Sequence, residues 1–159
     1  MELLSKHINM QQKPKKNNAI DNEGLGRSRG GLSSKIHCVV NGLGNPVEFI
    51  LTGGEMHDHL CAEALLEGKK ADFVIADNAY DSDKTLDIII PMDAIAVIPP
   101  KSNRKVQRDF DRHHYKDRTL IERFFCRLKQ FRGMATRYCK RGQYFLKALK
   151  LAASIILMC

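Results

Sequence analysis

Two short apolar runs, Asp72 to Ala76 (DFVIA) and Ala94 to Ile98 (AIAVI), constrain the fold most. A strand with one face in water alternates apolar and polar residues, whereas these runs suit strands covered on both faces. Around them lie segments with helical spacing, at 58–68, 83–90, about 115–132 and 143–157. Strands interleaved with helices predict an α/β domain. Ser34 to Val40 (SKIHCVV) and Val47 to Thr52 (VEFILT) flank Gly42-Leu43-Gly44-Asn45-Pro46, which predicts a hairpin. Asp58 reads as the N-cap of the 58–68 helix and Gly68 as its stop. Residues 9–31 are polar, rich in Lys, Asn and Gly, and read as a long basic loop. No internal repeat is visible.

The 159 residues fit one domain, and 43% hydrophobic with 28% charged residues is ordinary globular composition. Five scattered cysteines without a CxxC pair point to reduced thiols in a cytosol. The N-terminus lacks the apolar stretch of a signal peptide, and the run Leu151 to Cys159 is half the ~20 residues a bilayer demands. Secreted, membrane-spanning and disordered classes are therefore excluded as expectations. The net charge of +8 is unevenly spread. Residues 1–35 carry 7 basic and 3 acidic side chains, residues 36–100 carry 3 and 11, and residues 101–159 carry 16 and 4. A basic head and tail around an acidic middle suit a polyanion-binding surface beside a site that gathers carboxylates.

Asp77 stands where the first apolar strand runs into a loop, the place where ligands collect in open α/β sheets. A carboxylate there suits a divalent cation; a turn or cap role is the simpler alternative. On the 115–132 helix, Leu120, Ile121, Phe124, Phe125, Leu128 and Phe131 share one arc, the side that faces a core. Tyr115, Arg118, Glu122 and Lys129 gather along the border of that arc, so Glu122 stands at the edge of the buried side. An i,i+4 ion pair between Arg118 and Glu122 is the structural alternative, worth only ~0.3–0.5 kcal/mol. Two carboxylates from distant segments in basic surroundings suggest two-metal chemistry on phosphodiesters.

The spacing Tyr115-x2-Arg118-x3-Glu122-x6-Lys129 resembles the Y-R-E-K signature of the DDE transposases of bacterial insertion sequences. Further text agrees: Gly26-Arg27-Ser28-Arg29-Gly30-Gly31-Leu32, Ser34-Lys35-Ile36-His37, Ile75-Ala76-Asp77 with Tyr80-Asp81-Ser82, and Val97 to Arg104. The resemblance implies a ribonuclease H-like mixed sheet flanked by helices. Asp77 would be its second catalytic carboxylate and Glu122 the third, both ligands of Mg²⁺ or Mn²⁺. It also implies that Tyr115, Arg118 and Lys129 contact transposon-end DNA or support Glu122. Arg27, Arg29, Lys101, Arg104 and Lys105 would be phosphate contacts, which position DNA without reading sequence. The implied reaction is nicking at element ends followed by attack of the freed 3′-hydroxyl on target DNA. A homo-oligomer on DNA and a cytoplasmic, nucleoid-associated location in a bacterium follow from the same likeness.

Two departures accompany it. Ala79 stands where the family carries Gly, and no Asp lies between Met1 and Ile20, where the first catalytic Asp belongs. Glu2 and Asp21 are the nearest substitutes. The expectation is therefore a first core strand that is missing or only partly present, with Leu3, Leu4 and Ile8 as its remnant. Unpaired groups on the bared edges would each cost ~1–3 kcal/mol. Residues 1–31 would form a basic loop and strand remnant, and residues 32–159 the catalytic domain. The chain would be a 5′-truncated transposase, or the downstream frame of a frameshifted element, inactive alone. The alternatives are a catalytically dead DNA-binding remnant and a ribonuclease H-like nuclease of another family. His57-x-His59-x-Cys61 lacks a fourth ligand at fixed spacing, so zinc is not favoured. Cys126 is expected to pack in the core.

Overall fold

The computed structural model describes residues 24–28 and 31–158, together with the backbone of a strand over residues 2–9. Among the described residues one mixed sheet contains β1 (Glu2–Asn9), β2 (Gly26–Ser28), β3 (Gly31–Val40), β4 (Pro46–Gly53), β5 (Phe73–Ala76) and β6 (Ile95–Val97). The helices are α1 (Ala62–Leu66), α2 (Asp83–Ile89), α3 (Thr119–Leu128), α4 (Arg132–Ala135) and α5 (Gly142–Met158). The α/β expectation holds.

The hairpin forms as the turn residues dictate. Asn41 Oδ1 accepts the N–H groups of Leu43 and Asn45, both at 3.0 Å, and Gly44 takes φ +80°. β3 then pairs antiparallel with β4 from Ser34 opposite Gly53 to Val40 opposite Pro46. β3 is buried from Ser33 to Val40, so its alternation feeds two cores. Ile36, Cys38 and Val40 pack with Phe49 and with Ile121, Phe124, Phe125 and Leu128 of α3, and Phe145, Leu149 and Ile156 of α5. Val39 faces the opposite layer, with Ala62, Leu65, Leu66, Val74, Ala76, Tyr80 and Ile89.

The first core strand, expected to be missing or only partly present, is represented by β1, which carries Leu3, Leu4 and Ile8. β1 occupies the position between β3 and β5. It pairs antiparallel with β3 over all eight residues, from Glu2 opposite Val40 to Asn9 opposite Ser33. With β5 it is parallel and pairs only at Glu2 with Ile75 and Leu3 with Ala76, among the described residues. β3 offers a full row of buried backbone donors and acceptors on that edge, and these require a partner. β6 completes the sheet, parallel to β5 from Phe73 opposite Ile95 to Ile75 opposite Val97.

Three local expectations are corrected. Asp58 does not cap a helix: a 3-10 turn at Asp58–Cys61 precedes α1, its N-cap is His57, and Asp58 instead pairs with Lys35 Nζ at 2.6 Å. The helix expected over 115–132 is broken into a 3-10 turn at His114–Arg118, then α3, then α4. Phe131 is extended between α3 and α4 (ψ 103°), packing against the α3–α5 core, just ahead of Gly133, a poor helix former. Cys126 is exposed on α3 rather than packed. The apolar arc of α3 is as expected, with Ile121, Phe124, Phe125 and Leu128 buried. Among the described residues no helix is long and apolar enough to cross a membrane.

Candidate active site

Asp77 follows β5 directly, with extended backbone (φ −77°, ψ 171°), and caps a 3-10 turn at Asn78–Tyr80. Its Oδ1 accepts the Ala79 N–H at 2.9 Å. Val74 and Ala76 belong to the α1–α2 core, so Ile75 lies on the other face. Asp77 continues that alternation and stands, half-exposed, on the face that α3 covers. The simple cap role is thus observed, in a side chain that stays half-exposed.

Glu122 comes from the first turn of α3. Arg118 Nη1 meets Glu122 Oε1 at 3.0 Å, with side chains 29% and 37% exposed, a pair of modest worth. The Arg118 guanidinium also lies over the Tyr115 ring, 5.5 Å from its centre. Tyr115 is held from beneath. Asp111 Oδ1 accepts the His113 and His114 N–H groups at 2.7 and 3.1 Å and starts the turn, and the Tyr115 N–H donates to the Asp111 carbonyl at 3.0 Å. The His114 ring stacks on Phe73 of β5 at 4.1 Å, and Phe110 meets the Tyr115 ring edge-on at 5.3 Å. The turn is thereby fastened to the strand that ends in Asp77.

The Tyr115 phenol records what surrounds it. Burial pushes its pKa up, Arg118 pulls it down, and the carboxylates of Asp77 and Glu122 both push it up. Asp77, Arg118 and Glu122 therefore stand within electrostatic reach of the Tyr115 hydroxyl, though 45 positions separate the two acids in sequence. Lys129 is not part of this group; it caps α3 at its far end, about 10 Å along the axis from Glu122.

The remaining basic residues divide. Arg27 is exposed on β2, Lys105 is exposed, Lys101 is half-exposed, and Arg29 lies outside the described residues, as does Asp21. Nothing is described of the Glu2 side chain; its backbone is beside Ile75. Arg104 is turned inward: its Nε donates to Asp81 Oδ1 and Oδ2 at 3.0 and 2.9 Å, and its Nη2 to Asp83 at 2.7 Å. Asp81 was not singled out by its sequence position, because its partners lie 20 to 27 residues away and no local spacing announces them. The His57 and His59 rings stack at 5.7 Å, but among the described residues no three His, Cys, Asp or Glu side chains gather to hold a metal.

The model of the transposase DDE domain family matches residues 5–157. The chain belongs to that family. It is also 35% identical, over 127 residues, to a protein named as a transposase for insertion sequence element IS6501 in Brucella ovis. That match spans 79% of this chain and 98% of the relative. No solved structure matches the chain. In a DDE transposase domain a divalent cation is expected, and Asp77 and Glu122 offer the hard carboxylate oxygens that Mg²⁺ or Mn²⁺ takes. Both are half-exposed, so the donor chemistry of these two side chains fits such a cation.

Proposed function

We propose that this transposase domain is ribonuclease H-like and acts on the ends of an insertion sequence, where Asp77 and Glu122 would hold the divalent cation. The sheet order β4-β3-β1-β5-β6, with its first three strands antiparallel and its last three parallel, supports the ribonuclease H-like reading. Residues 32–159 would carry the catalytic domain. The observation that carries the proposal is the position of Asp77 at the end of β5, on the face that α3 covers, with Glu122 in the first turn of α3 and the preceding turn packed on β5.

The cation, when bound, would supply Lewis acidity toward phosphoryl oxygens. Arg118 would orient Glu122 through their ion pair and anchor Tyr115 through its ring, which puts a guanidinium and a phenol donor beside Glu122. These groups suit a phosphate of the element end. Arg27, Lys101 and Lys105 would bind backbone phosphates, and Lys129 those farther along the duplex. The active form would be a homo-oligomer assembled on transposon-end and target DNA in the bacterial nucleoid.

The test uses pre-cleaved element ends with Mg²⁺ or Mn²⁺ and follows joining of the 3′ end to target DNA. Strand transfer lost in Asp77→Asn and Glu122→Gln, with DNA affinity retained, supports the proposal. A second reading, DNA binding without chemistry, is favoured by one observation: among the described residues no three His, Cys, Asp or Glu side chains gather as a metal-holding group. Salt-sensitive binding with no strand transfer in either metal would establish it. No DNA binding at all would end both.

A further inference from the structure

Sixteen residues separate the end of β6 from the turn that begins at His114, with no helix or strand among them. Segments of that length in compact domains are uncommon and tend to be functional. This one is organised by Asp81, whose side chain is fully buried. Besides the Arg104 fork, its carboxylate accepts the Lys101 N–H at 2.8 Å and Arg108 Nη2 at 2.5 Å. Burial alone would raise its pKa; the Lys101 N–H and the two guanidinium groups overcome that and hold it below the usual carboxylate range. The loop is also closed on itself. Arg104 N–H donates to the Lys101 carbonyl at 3.0 Å, and Gln107 Nε2 donates to the carbonyls of Lys101 and Arg104 at 3.1 and 3.2 Å. Arg108 is the weaker arm: its Nε is buried without a partner among the described residues.

We propose that Asp81 is a positioning residue that folds the basic 99–108 loop against the end of β5. Arg104 and Arg108 serve as internal struts, and Lys101 and Lys105 are the cations this loop offers to DNA phosphates. The geometry behind it is a division of labour. Two guanidinium groups reach a carboxylate four residues after Asp77, while Lys105 is exposed and Lys101 only partly covered. A guanidinium already neutralised by a buried acid releases no counterion when DNA binds, whereas an exposed ammonium does. The second half of the proposal rests on DNA being the substrate; the first does not.

Hydrogen exchange of the full chain, read by mass spectrometry, tests the clamp without DNA. Asp81→Asn is expected to speed exchange across 99–108 by about tenfold while α3 and α5 stay protected, as for a local opening. Unchanged exchange in that loop overturns the proposal. Should Asp81→Asn unfold the whole chain, the double variant Arg104→Gln/Arg108→Gln decides by the same readout. The DNA arm uses random-sequence duplex and a salt series. Lys105→Gln is expected to lower the slope of log K against log salt by ~0.9, one phosphate contact, while Arg104→Gln weakens binding with the slope kept. An equal loss of slope in both variants overturns the strut assignment. If the unaltered chain binds no DNA, the functional reading fails, and exchange alone judges the clamp.

Discussion

Breaking the Lys35–Asp58 pair one side at a time should cost far more than removing it altogether. Lys35 Nζ meets Asp58 Oδ1 at 2.6 Å, with side chains 9% and 12% exposed, and also donates to the Met56 carbonyl at 2.7 Å. At that distance and an effective dielectric of ~20 the attraction is about 6 kcal/mol. Taking the two ions out of water costs several kcal/mol each, so the intact pair contributes little net stability. Asp58→Leu leaves the ammonium without its carboxylate, and Lys35→Met leaves the carboxylate without its ammonium, each at ~3–5 kcal/mol. Lys35→Met/Asp58→Leu should lie within ~1.5 kcal/mol of the unaltered chain, a coupling of several kcal/mol. The assay is urea unfolding of all four chains at neutral pH, repeated at high salt, where a buried pair is little screened. Single-variant losses that simply add, within ~0.5 kcal/mol, would refute the reasoning.

Other outcomes follow from the same coordinates. Phe124 is 3% exposed, with its ring 5.9 Å from that of Phe49, so Phe124→Ala should cost ~3–5 kcal/mol in urea unfolding; a loss below ~1 kcal/mol would contradict the core assignment. Gly44 has φ +80° and an added Cβ would lie 3.4 Å from Leu120 Cβ, so Gly44→Ala should lose ~1–2 kcal/mol. Gly42→Ala, with nothing within 4 Å and no positive φ, is the neutral control by the same unfolding measurement. Asp111 should titrate at about 2 by carboxyl NMR, held below 3.8 chiefly by the hydrogen bond from His114. Its folded pKa is depressed, so its contribution to stability is present above pH 3.8 and fades as pH falls toward 2. A normal titration would remove Asp111 as the start of the Tyr115 turn.

What was legible in the sequence is what local periodicity encodes. The α3 arc, the hairpin around Gly44 and the β5 strand ending at Asp77 all depend on residues within a few positions of each other. The Tyr115, Arg118 and Glu122 spacing is of the same kind, since one turn and its following helix place all three. Pairings across the chain were not legible. Lys35 sits among apolar residues of β3 and reads as an interruption until Asp58 arrives from beyond β4. Asp81 stands just ahead of α2, which Ser82 caps by accepting the Thr85 N–H at 3.1 Å, while Asp81 itself turns to a loop that follows β6. β1 (ELLSKHIN) lacks the apolar run of a central strand and reads only as a remnant with Leu3, Leu4 and Ile8, yet its backbone pairs with β3 over all eight residues.

The unequal pairing of β1 divides the sheet into two plates, the long antiparallel β4-β3-β1 and the short parallel β5-β6, stitched among the described residues by two residue pairs. Asp77 rides on one plate. Glu122 rides on the other, because α3 lies over β3 and β1, while the turn before it lies on β5. The segment 114–128 is thus a splint across the joint: its turn is fastened to β5 and its helix to β3 and β1, so it ties the strand that ends in Asp77 to the helix that carries Glu122.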